Sequence, residues 1–502
     1  MPAGFSAQDF YYLLPELVLT GGALLLLIVD VFTPRERHGL LVWLSVAVLA
    51  ATGAALAPTA GVNLTVAKGL VAVDTFAFFF KVVFLLAAAI TLLMSARYLE
   101  IEGARAGEYC FLVLCATLGM MIMAGGVDLI TIFIGLETMT VSFYVLTGFI
   151  KPNRRSNEAA VKYFLLGAFS LGLLLYGMSL LYGLTGTTNL RGIATAIAAS
   201  PRGLMLPLAV IMLAAGIGFK IAAVPFHMWA PDVYEGAPTP ITGFLSVGSK
   251  AASFAMLLRI FIEGLPGFRF EGLSVIFGQA VGWTTVFYVL SVVSMTVGNL
   301  TAITQSNLKR LLAYSSIAQA GYILIGVVAG SARGVSAALI YLFIYAFMQL
   351  GAFAIVTLLR RRDVIGDELK DLSGLYFRSP LAALAMLVFM LSLGGIPPTA
   401  GFMGKFWLFS AAIESGYVWL AVIGVLNSAI SLYYYVRVIV FMWIKEETMG
   451  SPIVMAPALG LVVAVALAGT IIFGIYPAPL FDFAEASAAT LGMAASSIVG
   501  LR

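Results

Sequence analysis

The sequence predicts an all-α polytopic membrane protein of about fourteen transmembrane helices, and three observations carry that prediction. Of 502 residues, 61% are hydrophobic and only 10% are charged, whereas soluble domains carry about a quarter. The apolar residues fall in runs of about 20, the length an α-helix needs to cross the hydrocarbon of a bilayer. Lys and Arg gather in alternate connections between those runs, as orientation by positive charge requires. No soluble fold hides this much apolar side chain.

Taken in order, the runs are 11–32, 39–57, 72–95, 109–125, 127–148, 158–184, 204–225, 238–262, 273–298, 308–330, 334–360, 380–413, 416–443 and 455–478. The first is preceded by Asp9 rather than a basic segment, so it reads as a span and not as a cleavable leader. Gly186–Arg202 is the one sizeable polar interruption of the first half and reads as a surface loop or short interfacial helix. The run 380–413 is long for one helix and holds Gly394, Gly395, Pro397 and Pro398, which predicts a broken helix. Pro225 predicts the same for the seventh run.

Spans four to eight and nine to thirteen then form two blocks of five, with the broken helix fourth in each and running in opposite directions. Discontinuous helices in corresponding places of inverted repeats mark transport sites. The expected organisation is residues 1–107 for three N-terminal helices, 108–262 and 263–445 for the two inverted repeats, and 446–502 for a last helix.

With the N-terminus outside, the cytoplasmic connections collect fifteen Lys and Arg, among them Arg35, Arg37, Arg97, Arg105, Lys309, Arg361, Arg362 and Lys445; the outer ones collect six, among them Arg202 and Arg502. The prediction is N-out and C-out. Cys110 and Cys115 form no metal-ligand pattern, and His38 and His227 are far apart, so no metal or haem site of this chain's own is expected. The net charge of +4 is scattered and gives no nucleic-acid footprint.

A charge near the middle of a span costs ~2.5–3.5 kcal/mol or more and marks a functional candidate. Glu137, Lys220, Lys250 and Lys405 fit that description best. A proton relay needs groups that load and unload near neutral pH, and burial moves a lysine into that range where an arginine stays charged. Pro225 follows Lys220 by five residues, and Pro397 and Pro398 precede Lys405, so both lysines flank backbone breaks, which at membrane depth line wet or protein-filled interiors. The bland reading of each lysine is a long stem reaching the interface.

Weaker candidates stay open between two readings. Lys162, four residues after Glu158, is an ordinary helix-surface pair or an entry station. His227 is a proton-shuttling imidazole or a structural one. Tyr434, in the run Tyr433–Tyr435, is packing or lines a polar path. Lys81 is expected to pair with Asp74, and Asp30, Arg259 and Arg437 read as anchors near helix ends.

The stretch Pro225-Phe-His-Met-Trp-Ala-Pro-Asp-Val-Tyr-Glu-Gly-Ala-Pro-Thr-Pro240 resembles the signature of the antiporter-like subunits of respiratory complex I, in the form typical of its N subunits. Leu308-Lys-Arg-Leu-Leu-Ala-Tyr-Ser-Ser-Ile317 and Gly394-Gly-Ile-Pro-Pro-Thr-Ala-Gly-Phe-Met-Gly-Lys405 extend the resemblance over the whole chain. It implies a proton-translocating subunit of a bacterial NADH:quinone oxidoreductase in the cell inner membrane. Glu137 and Lys220 would be a gating ion pair, Lys250 the central relay, Lys405 the terminal one, and Lys162 a further family lysine. It also implies that NADH, FMN, iron–sulfur clusters and quinone belong to partner subunits, with M and K among the membrane neighbours. One departure is Gln319, where the family often carries a histidine; glutamine hydrogen-bonds water but carries no proton. The rivals are a cation/proton antiporter component, a subunit N fed by another electron donor, and a polytopic membrane transferase, which would want an acidic constellation the short loops lack.

Overall fold

Apolar runs become helices in lipid because each backbone N–H must pair within its own segment. The computed structural model describes residues 6–34, 39–199, 204–269, 275–276, 279–280, 282–360, 366–444 and 452–499. Arg35, Arg37, His38, Arg202, Arg361, Arg362, Lys445 and Arg502 lie outside these. Its spans are α1 (Leu14–Phe32), α2 (Gly39–Leu56), α3 (Thr75–Glu102), α4 (Ala106–Gly125), α5 (Leu129–Thr147), α6 (Arg154–Thr185), α7 (Met205–Lys220, resuming at Trp229–Gly236) and α8 (Thr239–Gly264). They continue as α9 (Trp283–Ile303), α10 (Leu308–Ala329), α11 (Ala332–Leu359), α12 (Pro380–Gly394, resuming at Ala400–Glu414), α13 (Val418–Trp443) and α14 (Pro457–Ile475). Side-chain oxygens of Asp74, Asp128, Asn153, Asn307 and Ser331 cap α3, α5, α6, α10 and α11, taking up backbone N–H groups that a helix start leaves unpaired.

Both predicted breaks are present. The seventh helix stops at Lys220 rather than running to 225, because Ala222 takes a left-handed φ of 57° and Pro225 has no N–H to donate. The span is completed by Trp229–Gly236, so His227 lies inside the break instead of at the helix end. The twelfth breaks at Gly395, whose φ of +85° suits glycine, and a Cβ there would meet Lys405 Cδ at 2.9 Å. The polar interruption after α6 holds a short helix, Leu190–Ala199, with one face buried.

Three boundaries differ from expectation. The ninth span starts at Trp283, not 273, and two short antiparallel strands, Val275–Ile276 and Gln279–Ala280, precede it where glycines punctuate the run. A short helix, Ala7–Tyr12, closed by a Ser6–Asp9 capping box, leads into α1. A further helix, α15 (Ala478–Val499), follows α14 and packs on α3 and α11. Its alanines, serines and acidic residues hid it from any criterion based on a long apolar run.

Small residues set close helix crossings, among them one at the start of each predicted repeat. A Cβ on Gly119 of α4 would lie 2.4 Å from Met139 N of α5, and one on Gly135 of α5 would lie 2.8 Å from Met123 N. In α9 and α10, a Cβ on Gly298 would lie 2.7 Å from Ala318 N, and one on Gly321 would lie 2.8 Å from Met295 N. Close backbone approach of this kind is how helices associate in lipid, where no hydrophobic force drives them together.

Candidate functional site

The innermost helices are α8, α10 and α11, each 94% buried over its central window, whereas α1 is 22% and α14 28% buried. A polar side chain on these three helices therefore faces protein, and Lys250 on α8 meets its partner on α10 there.

Lys250 is 2% exposed. A turn of wide π-type helix, Leu245–Ser249, directly precedes it, a distortion frequent at functional positions. Its ammonium donates to Ser316 Oγ of α10 at 2.5 Å and to the Ser316 backbone carbonyl. Ser316 Oγ also receives the Tyr345 hydroxyl of α11 at 2.9 Å, and the Tyr234 hydroxyl lies 3.3 Å away.

Lys220 is also 2% exposed and sits at the lip of the α7 break. It donates to Thr140 Oγ1 of α5 at 2.7 Å, while Glu137 Oε1 is buried with no protein hydrogen-bond partner. Thr140 lies one turn beyond Glu137, so the ammonium sits a single helical step from the carboxylate. The ion pair that family resemblance implies is open here. Glu137 itself is half-buried, on a helix face whose neighbours Ile134 and Val141 are 54% and 52% exposed.

Lys405, 3% exposed, reaches back into the α12 break. It donates to the carbonyls of Leu393 at 3.0 Å and Gly394 at 3.1 Å and to Ser428 Oγ at 2.9 Å, with its ammonium 4.7 Å from the centre of the Tyr322 ring. The break frees these carbonyls, and the lysine uses them. Among the described residues, all three lysines are held by neutral oxygens and none by a carboxylate.

Between Lys250 and Lys405 runs a line of hydroxyls and one amide. Ser315, beside Ser316, meets the Tyr435 hydroxyl at 2.5 Å; Gln319 Nε2 donates to that hydroxyl and to the Leu393 carbonyl, both at 3.2 Å. The Leu393 carbonyl is the one Lys405 binds. Tyr341 donates to Gln319 Oε1 at 2.5 Å. Gln319, standing where the family often has histidine, is thus the hub of the line. Tyr341, Tyr345 and Gln349 recur every fourth residue on α11, and the amide of Gln349, 0% exposed, has no protein partner at either end.

The weaker candidates are dispersed. Lys162 is 41% exposed and bridges Glu158 at 2.8 Å and Asp232 at 2.7 Å, so the helix-surface pair exists but shares the lysine with the second half of α7. Asp232 in turn meets Arg310 of α10 at 2.7 Å, tying the two halves of the chain together. His227 Nδ1 is buried without a protein partner. Tyr434 donates to Asn299 at 2.9 Å, in a polar cluster with Tyr322 and Asn427 that adjoins the line at Tyr435 and Ser315; its neighbour Tyr435, not singled out in the sequence, joins the line described above.

One expected pairing and one expected anchor are corrected. Lys81 meets Glu16 of α1 at 2.6 Å rather than Asp74, because Asp74 is taken by the α3 cap and by Arg259 at 2.8 Å. Arg259 is not an interfacial anchor: it is 1% exposed and held between Asp74 and Glu263. Arg437 donates to the carbonyls of Ile303, at 2.6 Å, and Gln305 beyond the end of α9. No group of three or more potential metal ligands occurs among the described residues.

Sequence reasoning passed over Thr140, Ser316, Tyr341, Tyr345, Gln349, Tyr435 and Ser428. The four-residue spacing on α11 was a readable signal for three of them.

Comparison with known proteins bears on the whole chain. The model of the NADH:quinone oxidoreductase/Mrp antiporter transmembrane family matches residues 126–431. The chain is 47% identical to the NADH-quinone oxidoreductase subunit N of Trichlorobacter lovleyi over 96% of its length and 97% of the relative's. It is 45% identical to subunit N 1 of Koribacter versatilis over 100% and 99%. A chain of respiratory complex I from Thermus thermophilus with bound aureothin superposes with a TM-score of 0.78 at 32% identity, covering 93% of this chain and 98% of that one. A chain of the Mrp complex from a Dietzia species, at 21% identity and a TM-score of 0.83, shares the fold.

Proposed function

The chain belongs to the subunit N family of NADH-quinone oxidoreductase, the antiporter-like, proton-translocating membrane subunits of that complex, and from that premise we propose that Glu137, Lys220, Lys250 and Lys405 form its proton path. Lys220 exchanges between Thr140 and Glu137, one helical turn apart, so that the pair opens and closes as neighbouring subunits change state. Lys250 takes the proton at Ser316. The line Ser315–Tyr435–Gln319 and the Leu393 carbonyl leads to Lys405, with water completing it where side chains do not meet, as beside Gln349. The hydrogen-bonded run from Lys250's acceptor helix to Lys405 is the observation that carries this reading. Lys162 and His227 serve entry beside the α7 break, and Tyr434 borders the path at Tyr435 and Ser315.

The test is Lys405→Met beside Lys405→Arg in the assembled complex. Each carbonyl that Lys405 binds keeps a second donor, Gln319 at Leu393 and Ser428 at Gly394, so both variants assemble. Both are expected to lose coupled proton pumping, since arginine keeps the charge but does not release the proton. Pumping by Lys405→Arg at the native rate would show that only charge is needed.

The same reading extends to organisation. Residues 108–262 and 263–445 are proposed as inverted repeats, supported by the twin glycine crossings and twin breaks. The charge bias favours N-out and C-out in a bacterial inner membrane. Subunits M and K are the proposed neighbours, and the half-buried Glu137 on an exposed face supports a protein cover there, since a carboxylate at mid-membrane is not left to lipid. NADH oxidation, FMN, iron–sulfur clusters and quinone are assigned to partner subunits, which leaves this chain the proton step alone.

A further inference from the structure

Between the entry at Lys162 and the seat of Lys220, the proposed path has an unfilled step. Glu137, Thr140 and Tyr144 follow one another on α5 at spacings of three and four residues, so they share one face of the helix. Lys220 donates to Thr140 at 2.7 Å, and its ammonium lies 5.9 Å from the centre of the Tyr144 ring. Contacts between α5 and α6 set the order of depth. At the end of α5, a Cβ on Gly148 would lie 2.8 Å from Ala160 Cβ, whereas Tyr144 lies against Gly167. Lys162 stands between those two levels on α6. From the membrane face inward the order is therefore Lys162, Tyr144, then Thr140 with Lys220, then Glu137.

The Tyr144 hydroxyl is buried and has no hydrogen-bond partner among the described residues, a cost that phenylalanine would not carry. The ring is fixed by edge contacts with Tyr163 at 4.9 Å and Phe164 at 5.5 Å. Tyr163 in turn stacks at 4.7 Å on Trp229, in the second half of α7. The hydroxyl is seated over Gly167: a Cβ there would overlap the phenolic oxygen first and reach the ring only at 2.9 Å. An oxygen without a partner and a glycine beneath it both sit beside the ammonium that has to load.

We infer that the Tyr144 hydroxyl is a further proton-carrying group, which passes protons from the Lys162 side to Lys220, and that Gly167 positions it. The inference rests on the path proposed above. A hydroxyl, like water, both accepts and donates. Its oxygen takes a proton from a water on the Lys162 side, its own proton goes to the unprotonated Lys220 amine, and the tyrosine is left neutral. Thr140 then holds the ammonium that results.

The test compares Tyr144→Phe and Gly167→Ala with Lys220→Ala in the assembled complex, by NADH-driven proton uptake in membrane vesicles. Tyr144→Phe keeps the ring and removes only the unpartnered group, so the melting temperature should hold or rise while pumping falls about tenfold. Gly167→Ala keeps the hydroxyl but denies it its seat. It should lose pumping to the same extent, and the double variant should lose no more than either. A fluorotyrosine at position 144, similar in size but more acidic, should restore pumping with the alkaline limb of its pH profile moved to lower pH, which a packing role would not do. Native pumping by Tyr144→Phe beside failure of Lys220→Ala would overturn this step and leave the path standing; native pumping by both would overturn the path itself. A fall in melting temperature of Tyr144→Phe that accounts for its lost pumping would make the hydroxyl structural and also overturn the inference.

Discussion

Gln349→Leu sets stability against transport at one position. The amide is 0% exposed on α11, and neither Oε1 nor Nε2 has a protein partner. A buried polar group without a protein hydrogen bond costs ~1–3 kcal/mol. Leucine is of similar size and needs no partner, so the substitution should leave the complex as stable as before or raise its stability by up to about that amount. On stability alone, glutamine is the poorer residue here. Its use lies in the stripe Tyr341, Tyr345, Gln349, where the first two hydroxyls already bind Gln319 and Ser316 of the proposed path. Removing the third polar group should slow proton transfer past Lys250. A drop of about tenfold in coupled pumping corresponds to ~1.4 kcal/mol on the barrier. The assay is NADH-driven proton uptake in membrane vesicles, with assembly and melting temperature followed on the solubilised complex. Full pumping in a complex of unchanged or raised melting temperature would refute the role assigned to this stripe. A large fall in melting temperature would show that Gln349 is paired and structural.

Other substitutions test separate parts of the account. Thr140→Val removes the oxygen that holds Lys220; since a hydrogen bond to a charged group is worth ~1.5–3 kcal/mol, coupled turnover should fall about tenfold, while Thr140→Ser should restore it within about twofold. Arg259→Met leaves Asp74 buried without its cation, while Glu263 keeps Arg191 at 3.2 Å; breaking the buried pair costs ~3–5 kcal/mol, and immunoblots of membranes should show little subunit accumulating. Gly298→Ala drives a Cβ to 2.7 Å from Ala318 N, and because backbone cannot swing aside, the melting temperature should drop by the equivalent of ~1–3 kcal/mol. Gly21→Ala, which would meet nothing within 4 Å, is the control and should not change it.

Much of the architecture was legible because lipid leaves the chain few choices. Runs of spanning length had to be helices, and Pro225 and Gly394–Pro398 had to interrupt them. The candidate charges were legible for the same reason: a lysine at mid-span has few bland explanations. Their partners were not. Lys81 and Asp74 stand seven residues apart on one helical face, which suggested a pair, yet Asp74 is claimed by Arg259, 185 residues away, and Lys81 by Glu16 on another helix. Periodicity gives the face a residue occupies but not the helix that face will meet. Ser316 and Thr140 are ordinary serine and threonine by composition, and only packing makes them the seats of two lysines. The extra helix α15 escaped because the face it buries includes small residues such as Ala484, Ser487 and Ala488, while Asp482 and Glu485 stay exposed, so no long apolar run marks it.

The most direct measurement is proton pumping alongside quinone reduction in membranes carrying Lys220→Ala, with Lys250→Ala as its companion. The account predicts that both activities fall in both variants while the complex stays assembled, because electron transfer is coupled to a path that passes through these ammonium groups. Native rates of pumping and quinone reduction in an intact complex would make the two lysines structural and would contradict the path.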